Sequence, residues 1–160
     1  FLGWLVELAF AAVSRSEEKR RRCLLLLPLC PVYGFGMLAV LALPPMGGVK
    51  LAVFGGLAVT AVEYVYHWAG ERLLGVRFWD YAQVPGNFRG RVCLPFTLAW
   101  GILVWGAVRF VQPGASALAE TAPAWLTYFL LLVFTADAVC SIRFLRVTGD
   151  LKRMRAAVFP

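Results

Sequence analysis

The 160 residues contain few charged side chains, and acidic ones are the scarcest. Charged residues make up 16% of the chain, against about 25% in an average soluble domain, and only nine are Asp or Glu. Soluble enzymes and nucleic-acid-binding domains need a solvated polar surface, which this composition does not supply. The sequence also lacks a G-x-x-x-x-G-K-[ST] motif, so these residues hold no P-loop ATPase domain.

Apolar residues fill the chain instead: 61% are hydrophobic and the mean hydropathy is +0.72. Five apolar runs approach the roughly 20 residues that cross a bilayer as a helix. We therefore predict an all-α membrane protein in which five transmembrane helices form a bundle, with a single domain over residues 1–160. The predicted helices cover about 1–13, 23–43, 49–70, 92–111 and 124–144. The first run precedes its charges, unlike a secretory signal, so we expect it to be the second half of a longer membrane helix.

The basic residues are clustered in the gaps between the apolar runs. Segments 15–22, 71–91 and 143–160 hold five, four and five Lys or Arg, and the remaining two are Lys50 and Arg109. Because cytoplasmic loops carry the excess of basic residues, we predict a multi-pass protein of the cell membrane, the inner membrane in a bacterium, with its carboxyl terminus in the cytoplasm. The net charge of +7 then reflects orientation, and we expect no nucleic-acid partner.

Small residues recur at four-residue steps on two of the predicted helices. This spacing places them on one helix face, where they let a neighbouring helix approach closely. The third and fourth helices are therefore expected to pack against each other through small residues. The two sets are Ala52, Gly56 and Thr60, and Cys93, Thr97 and Gly101.

Three carboxylates lie inside predicted helices, where an ionisable group costs at least about 2.5–3.5 kcal/mol. Glu7, Glu63 and Asp137 each lie about seven residues from the cytoplasmic end of their helix, roughly 10 Å deep. Tyr33 and Thr97 are predicted near the same depth. The five residues predict a cytoplasm-facing acidic cavity for a substrate or ion. The alternative is that the acids bind neighbouring hydroxyls or arginines and hold the helices together.

Glu63, His67 and Glu71 follow one another at four-residue spacing on one helix face. Carboxylates and imidazole can ligate a divalent metal, but this spacing alone is a weak signal, so we predict no bound metal and no other cofactor. The cysteines form no C-x-x-C pair and are expected to be reduced thiols. They are Cys23, Cys30, Cys93 and Cys140.

The connection after the third helix, residues 71–91, is long for a loop without a function. Its aromatic residues suit the membrane interface, and its polar residues lie next to the acidic layer. We predict an interfacial connection between the third and fourth helices that acts as a lid on the cytoplasmic side. The predicted lid residues are Glu71, Trp79, Asp80, Tyr81, Asn87 and Arg91.

Arg91 is expected to need an acidic partner. It precedes the fourth helix, and the positive end of a helix dipole disfavours a basic residue. The candidate partners are Asp80, Glu63 and Glu71, and a guanidinium can bridge two carboxylates. Such a pair would fold the connection back over the helices.

Several motifs carry a resemblance to a known family. They are GVRFWDY at Gly75–Tyr81, PGN at 85–87, GRVCL at 90–94, Trp100-Gly101, Gly3-Trp4 with Glu7, CPVYGFG at Cys30–Gly36, Glu63-Tyr64 with Glu71, and Asp137. Together they resemble the CmpB-like membrane family labelled type IV ABC-transporter permease. The resemblance implies a small multi-helix membrane protein with permease activity and an ATPase as a partner.

The leading functional prediction is permease-like transport of a small solute or ion through the acidic cavity. The expected partners are membrane lipids, a second copy or another membrane subunit, and an ATPase if the permease label holds. One alternative is a membrane-embedded enzyme acting on a lipid or amphiphilic substrate, with a carboxylate as general base and Arg91 binding an anionic head group. Another is an accessory subunit of a membrane complex.

Overall fold

The computed structural model describes residues 1–14 and 24–151, and most of its regular structure is helical. The α-helices are α1 (Leu2–Ser14), α2 (Pro31–Leu41), α3 (Gly48–Ala69), α4 (Leu94–Gly106), α5 (Gln112–Thr121) and α6 (Ala124–Thr148). A first π-helical segment, Gly70–Leu74, extends α3, and a second, Ala107–Val111, joins α4 to α5. Two short strands, β1 (Asn87–Phe88) and β2 (Val92–Cys93), lie between α3 and α4.

Three helical stretches are long and apolar enough to cross a membrane. They are Gly48–Leu74, Leu94–Thr121 and Ala124–Thr148, with 27, 28 and 25 residues, so each exceeds the roughly 30 Å of a hydrocarbon core. α1 and α2 are apolar but have only 13 and 11 residues, about 20 Å and 16 Å. The prediction of a mostly helical chain with apolar helices of membrane-spanning length is therefore confirmed.

The second predicted helix is shorter than expected. We predicted a helix over 23–43, but residues 24–30 of that range are not helical and α2 begins only at Pro31. Pro28 and Pro31 have no backbone N–H, and each disfavours the helical conformation in the residue before it. Cys23 lies outside the described residues. The chain therefore reaches α2 through an irregular segment.

The predicted helix end at Gln112 and the predicted loop over 112–123 are wrong. The helix passes through the second π-helical segment and continues as α5 to Thr121. Pro113 occupies the first turn of α5, where a missing N–H is tolerated and the fixed φ of proline suits the helix. The break before α6 is thus confined to residues 122–123.

α3 and α4 approach each other closely enough for backbone atoms to touch, as the small residues predict. A Cβ atom added to Gly56 would lie 3.0 Å from the Cα of Gly101, and one added to Gly101 would lie 2.8 Å from the carbonyl oxygen of Ala52. The Thr60 hydroxyl donates a hydrogen bond to the Thr97 hydroxyl across the same contact, at 3.1 Å. The expected packing through small residues is confirmed.

The connection contains a β-hairpin, which corrects the all-α prediction locally. β1 and β2 pair antiparallel, with Asn87 opposite Cys93 and Phe88 opposite Val92. The turn between them has Arg89 and Gly90 in the left-handed region, with φ of 54° and 68°. Such a turn reverses the chain within a few residues, so β2 leads directly into α4.

The cysteines only partly follow the expectation of reduced thiols. Cys93 is buried and Cys140 is exposed, and neither forms a disulfide. Cys30 is disulfide-bonded, which the sequence analysis did not predict. The absence of a C-x-x-C motif excludes one spacing of paired cysteines, but not the others.

Candidate functional site

Glu63 is a fully buried carboxylate in the middle of the structure, with 0% of its surface exposed. It lies on α3 and accepts a hydrogen bond from the indole N–H of Trp100 on α4, at 2.8 Å. The Tyr81 hydroxyl in the connection donates a second bond at 3.2 Å. Two helices and the connection therefore meet at one acidic side chain.

Glu7 is a second buried carboxylate, and aromatic contacts link it to Glu63. The Tyr33 hydroxyl on α2 donates a hydrogen bond to Glu7 on α1, at 2.7 Å. The Tyr33 ring packs edge-to-face against Trp100, with 5.1 Å between the ring centroids, and Trp100 in turn binds Glu63. Glu7 and Glu63 thus occupy the two ends of one chain of contacts.

A pocket of about 110 Å³ lies where α1, α2 and α4 meet. Its wall is largely aromatic and aliphatic, and Glu7 supplies its acidic group. The lining residues are Val6, Glu7, Phe10, Tyr33, Phe96, Ala99, Trp100 and Leu103. Because Trp100 lines this pocket and also binds Glu63, the pocket is connected to the buried acid of α3. We call it the Glu7 pocket.

Asp137, the third predicted acid, binds the irregular segment before α2. Its carboxylate accepts a hydrogen bond from the backbone N–H of Leu27, at 3.3 Å, and one from the Ser141 hydroxyl, at 3.4 Å. Ser141 also accepts a bond from the backbone N–H of Leu26, at 3.1 Å. Side chains of α6 therefore accept the hydrogen bonds that backbone carbonyls would accept if residues 24–30 were helical.

We expect Asp137→Ala to loosen the irregular segment, because the backbone N–H of Leu27 then loses its acceptor, and a typical hydrogen bond contributes about 0.5–1.5 kcal/mol. Hydrogen exchange at the amides of Leu26 and Leu27 should accelerate by up to about tenfold. The matched control is Thr135→Ala, which changes an exposed hydroxyl on the same helix. Equal exchange rates in both variants would contradict the assigned role of Asp137.

Arg91 has the acidic partner that its position predicted. Its Nε donates a hydrogen bond to Glu71 at 2.7 Å, and its Nη2 lies 2.6 Å from the same carboxylate. Its Nη1 donates to the Tyr64 hydroxyl at 3.0 Å, and the guanidinium carbon lies 5.2 Å from the Tyr64 ring centroid. The hydrogen bond with Glu71 raises the pKa of Arg91 above its ordinary value. Arg91 thereby fastens the start of α4 to the end of α3.

Three of the four aromatic residues of the connection, Phe78, Trp79 and Tyr81, pack against the protein, whereas Phe88 is 58% exposed. Tyr81 and Phe78 are buried, and Phe78 packs against Gly70, where an added Cβ would lie 2.3 Å from its ring. The Trp79 ring packs against His67 at 4.9 Å, and its indole N–H donates to the backbone carbonyl of Arg91 at 2.7 Å. The connection therefore covers one end of the helices by direct packing.

Asp80 and Asn87 shape the connection and do not bind the buried acids. Asp80 accepts a hydrogen bond from the backbone N–H of Ala82, at 2.8 Å. The Asn87 amide donates to the carbonyls of Ala82 and Val84, at 3.1 and 2.9 Å, and its oxygen accepts from the Gly90 N–H. Both side chains thus hold turns in place.

The weak metal candidates do not assemble into a metal site. His67 Nε2 lies 3.5 Å from Glu71, whereas Glu63 is bound to Tyr81 and Trp100. Within residues 1–14 and 24–151, no group of three His, Cys, Asp or Glu side chains is arranged to hold a metal ion.

Thr97, another predicted cavity residue, joins helices. It accepts the bond from Thr60 and donates to the carbonyl of Cys93, at 3.1 Å.

Two partners in the site were not predicted from the sequence: Trp100, which donates to Glu63, and Tyr64, which binds Arg91. Trp100 lies four residues after Phe96, one helical turn apart, and this aromatic spacing on α4 was the available signal.

The match to known families covers most of the chain. The family model described as "Putative ABC-transporter type IV" matches residues 1–142. These residues include Glu7, Glu63, Arg91 and Asp137. Neither the comparison with curated proteins nor the comparison with solved structures found a match. The chain belongs to the ABC-transporter type IV family that this model describes.

Proposed function

We propose that this chain is the permease-like membrane component of a transporter and that Glu7 and Glu63 line its passage for a small solute or ion. The observation that carries the proposal is the buried carboxylate of Glu63, held by a helix on one side and by the connection on the other. Ionisable groups within membrane segments are costly, and they commonly mark substrate or ion pathways. The proposed cargo is cationic because both lining groups are acidic.

The connection supports a gating role. Tyr81 binds Glu63 directly, and the pair of Arg91 with Glu71 fastens the same segment to α3. A solute that reaches Glu63 from this side must displace Tyr81. Lids that close over a site are a recurrent device for controlling access. We therefore propose that residues 75–93 open and close the passage.

The membrane arrangement in this proposal has five spans. The long stretches ending at Leu74, Thr121 and Thr148 cross the bilayer, and α1 and α2 complete the bundle with the irregular segment between them. Irregular backbone is tolerated at membrane depth where protein buries it, which the bonds from α6 provide. The bias of basic residues places the connection and the carboxyl terminus in the cytoplasm. Segments 15–22 and 152–160, on which that bias partly depends, lie outside the described residues.

The family supports a transporter context, and residues 1–160 contain no P-loop motif, so in this proposal ATP hydrolysis belongs to a domain or subunit outside these residues. Five helices enclose little space, so a second copy of this chain completes the passage in this proposal. Without an ATPase, this chain lets a solute move only down its own concentration gradient. The appropriate assay therefore uses a solute gradient without ATP.

The test is uptake of radiolabelled rubidium, guanidinium or choline into liposomes that contain the purified chain. We expect at least one of these cations to enter faster than into protein-free liposomes, while radiolabelled sorbitol does not. Glu63→Gln should lower that uptake about tenfold, because it removes the charge and retains the shape. Glu120→Gln, which changes an exposed acid on α5, should leave uptake unchanged.

Two results would overturn the proposal. One is cation uptake by the wild-type chain that does not exceed that of protein-free liposomes. The other is equal uptake by the wild type and Glu63→Gln. Circular dichroism of each variant in detergent identifies a loss of folding, so an unfolded variant is not counted as an inactive one.

A further inference from the structure

We propose that the Glu7 pocket binds a small organic cation of the quaternary ammonium class. This inference rests on the proposed function and names the substrate class of the same passage. It starts from one fact: the pocket combines a buried carboxylate with four aromatic side chains. Each of these two features selects for positive charge, and the pocket contains both.

Four of the side chains that line the Glu7 pocket are aromatic. Phe10 and Phe96 pack edge-to-face with centroids 5.7 Å apart, and Tyr33 and Trp100 do so at 5.1 Å. The rings of each pair lie in different planes, 68° and 69° apart, and all four line the pocket. Aromatic faces attract cations, and cages of such rings are the usual recognition site of quaternary ammonium groups.

The Glu7 carboxylate is the acidic group of the pocket. Glu7 is 8% exposed and is oriented by the Tyr33 hydroxyl at 2.7 Å. Its negative charge excludes anions and favours cations within a few ångströms, because interactions between charges strengthen away from bulk water.

The scarcity of side-chain oxygen atoms disfavours Ca²⁺ and Mg²⁺ as ligands of the pocket. Ca²⁺ takes about six to eight oxygen ligands, and Mg²⁺ needs near-octahedral coordination. Among the side chains that line the pocket, only Glu7 and Tyr33 present oxygen atoms. An alkylated ammonium needs no such shell, since its methyl groups pack against the rings. The volume of about 110 Å³ also limits the ligand to a small one.

The experiment is calorimetric titration of the purified chain in nanodiscs with choline chloride. The control ligand is 3,3-dimethyl-1-butanol, which replaces the charged nitrogen of choline by carbon and keeps its shape. We expect choline to bind and the neutral compound not to bind at the same concentrations. Binding of both compounds with equal affinity would overturn the proposal, because charge would then play no part.

Three variants assign the binding to this pocket. Glu7→Gln keeps an oxygen for the Tyr33 hydroxyl but removes the charge, and should weaken choline binding at least tenfold. Phe96→Leu removes one ring and should weaken it about three- to tenfold. Glu120→Gln should bind choline as the wild type does. Unchanged affinity in Glu7→Gln would overturn the assignment, and circular dichroism verifies that each variant is folded.

The outcome is separable from the test of the proposed function. Uptake of rubidium or guanidinium without choline binding overturns the substrate class and leaves the passage intact. Choline binding that depends on Glu7, without any cation uptake, supports the binding site and overturns the transport proposal.

Discussion

Gly101→Ala is expected to destabilise the protein by about 1–3 kcal/mol, the usual effect of overpacking a close contact. An added Cβ would lie 2.8 Å from the backbone carbonyl oxygen of Ala52 on α3. A backbone atom cannot rotate away as a side chain does, so α3 and α4 must separate. Gly56 makes the reciprocal contact, which leaves no alternative packing at this depth. Separation would also weaken the bond between Trp100 and Glu63, because these residues lie on the same two helices.

The matched control is Gly106→Ala, the same substitution at the end of the same helix. Nothing lies within 4 Å of a Cβ added there, so only the higher helix propensity of alanine acts, and it favours the variant by up to about 1 kcal/mol. Thermal unfolding in detergent, followed by circular dichroism, measures both changes. If Gly101→Ala were as stable as Gly106→Ala, the close contact of α3 with α4 would be wrong.

The sequence was sufficient to predict this contact and insufficient to predict the break before α2. Small residues at four-residue spacing identify a face through which helices approach, and Gly56 and Gly101 lie at the resulting contact. Apolar composition also predicts the long helices. It does not distinguish a helix from an irregular apolar segment, and residues 24–30 consist of apolar residues and one proline, Pro28. The acceptors that make the break possible, Asp137 and Ser141, lie more than a hundred residues away in sequence.

The candidate site was predictable in its residues and not in its partners. The depth of a residue along a helix follows from its position in the sequence, so Glu7, Glu63 and Asp137 could be predicted to lie at the same depth. Depth does not specify which neighbouring helix each side chain meets. Glu7 binds Tyr33, Glu63 binds Trp100 and Tyr81, and Asp137 binds the backbone before α2. The pairing of Arg91 with Glu71 was easier to predict, because an arginine at the positive end of the α4 dipole needs a nearby acid.

That pair gives the second large expected effect, in Arg91→Glu. The Arg91 and Glu71 side chains are only 17% and 20% exposed, so the variant would place two carboxylates together in a partly desolvated site. Reversing the charge of Arg91 replaces an attraction to Glu71 by a repulsion between two carboxylates. The Tyr64 hydroxyl would lose its guanidinium donor as well. We expect the connection to detach from α3 while the helices remain folded.

Hydrogen exchange of the connection separates a lid from a passive anchor. In Arg91→Glu, exchange over residues 76–93 should accelerate about tenfold or more, because the segment opens more often once it is no longer held to Glu71. The matched control is Arg89→Glu, the same substitution at a residue that is exposed in the hairpin turn, and it should change exchange little.

Adding Glu71→Arg to Arg91→Glu restores opposite charges and should recover part of the protection. Recovery is incomplete because Arg77, which binds Glu71 at 2.8 Å, then faces an arginine. If Arg91→Glu exchanged like Arg89→Glu, the pair would not hold the connection closed, and Glu63 would have no gate on this side.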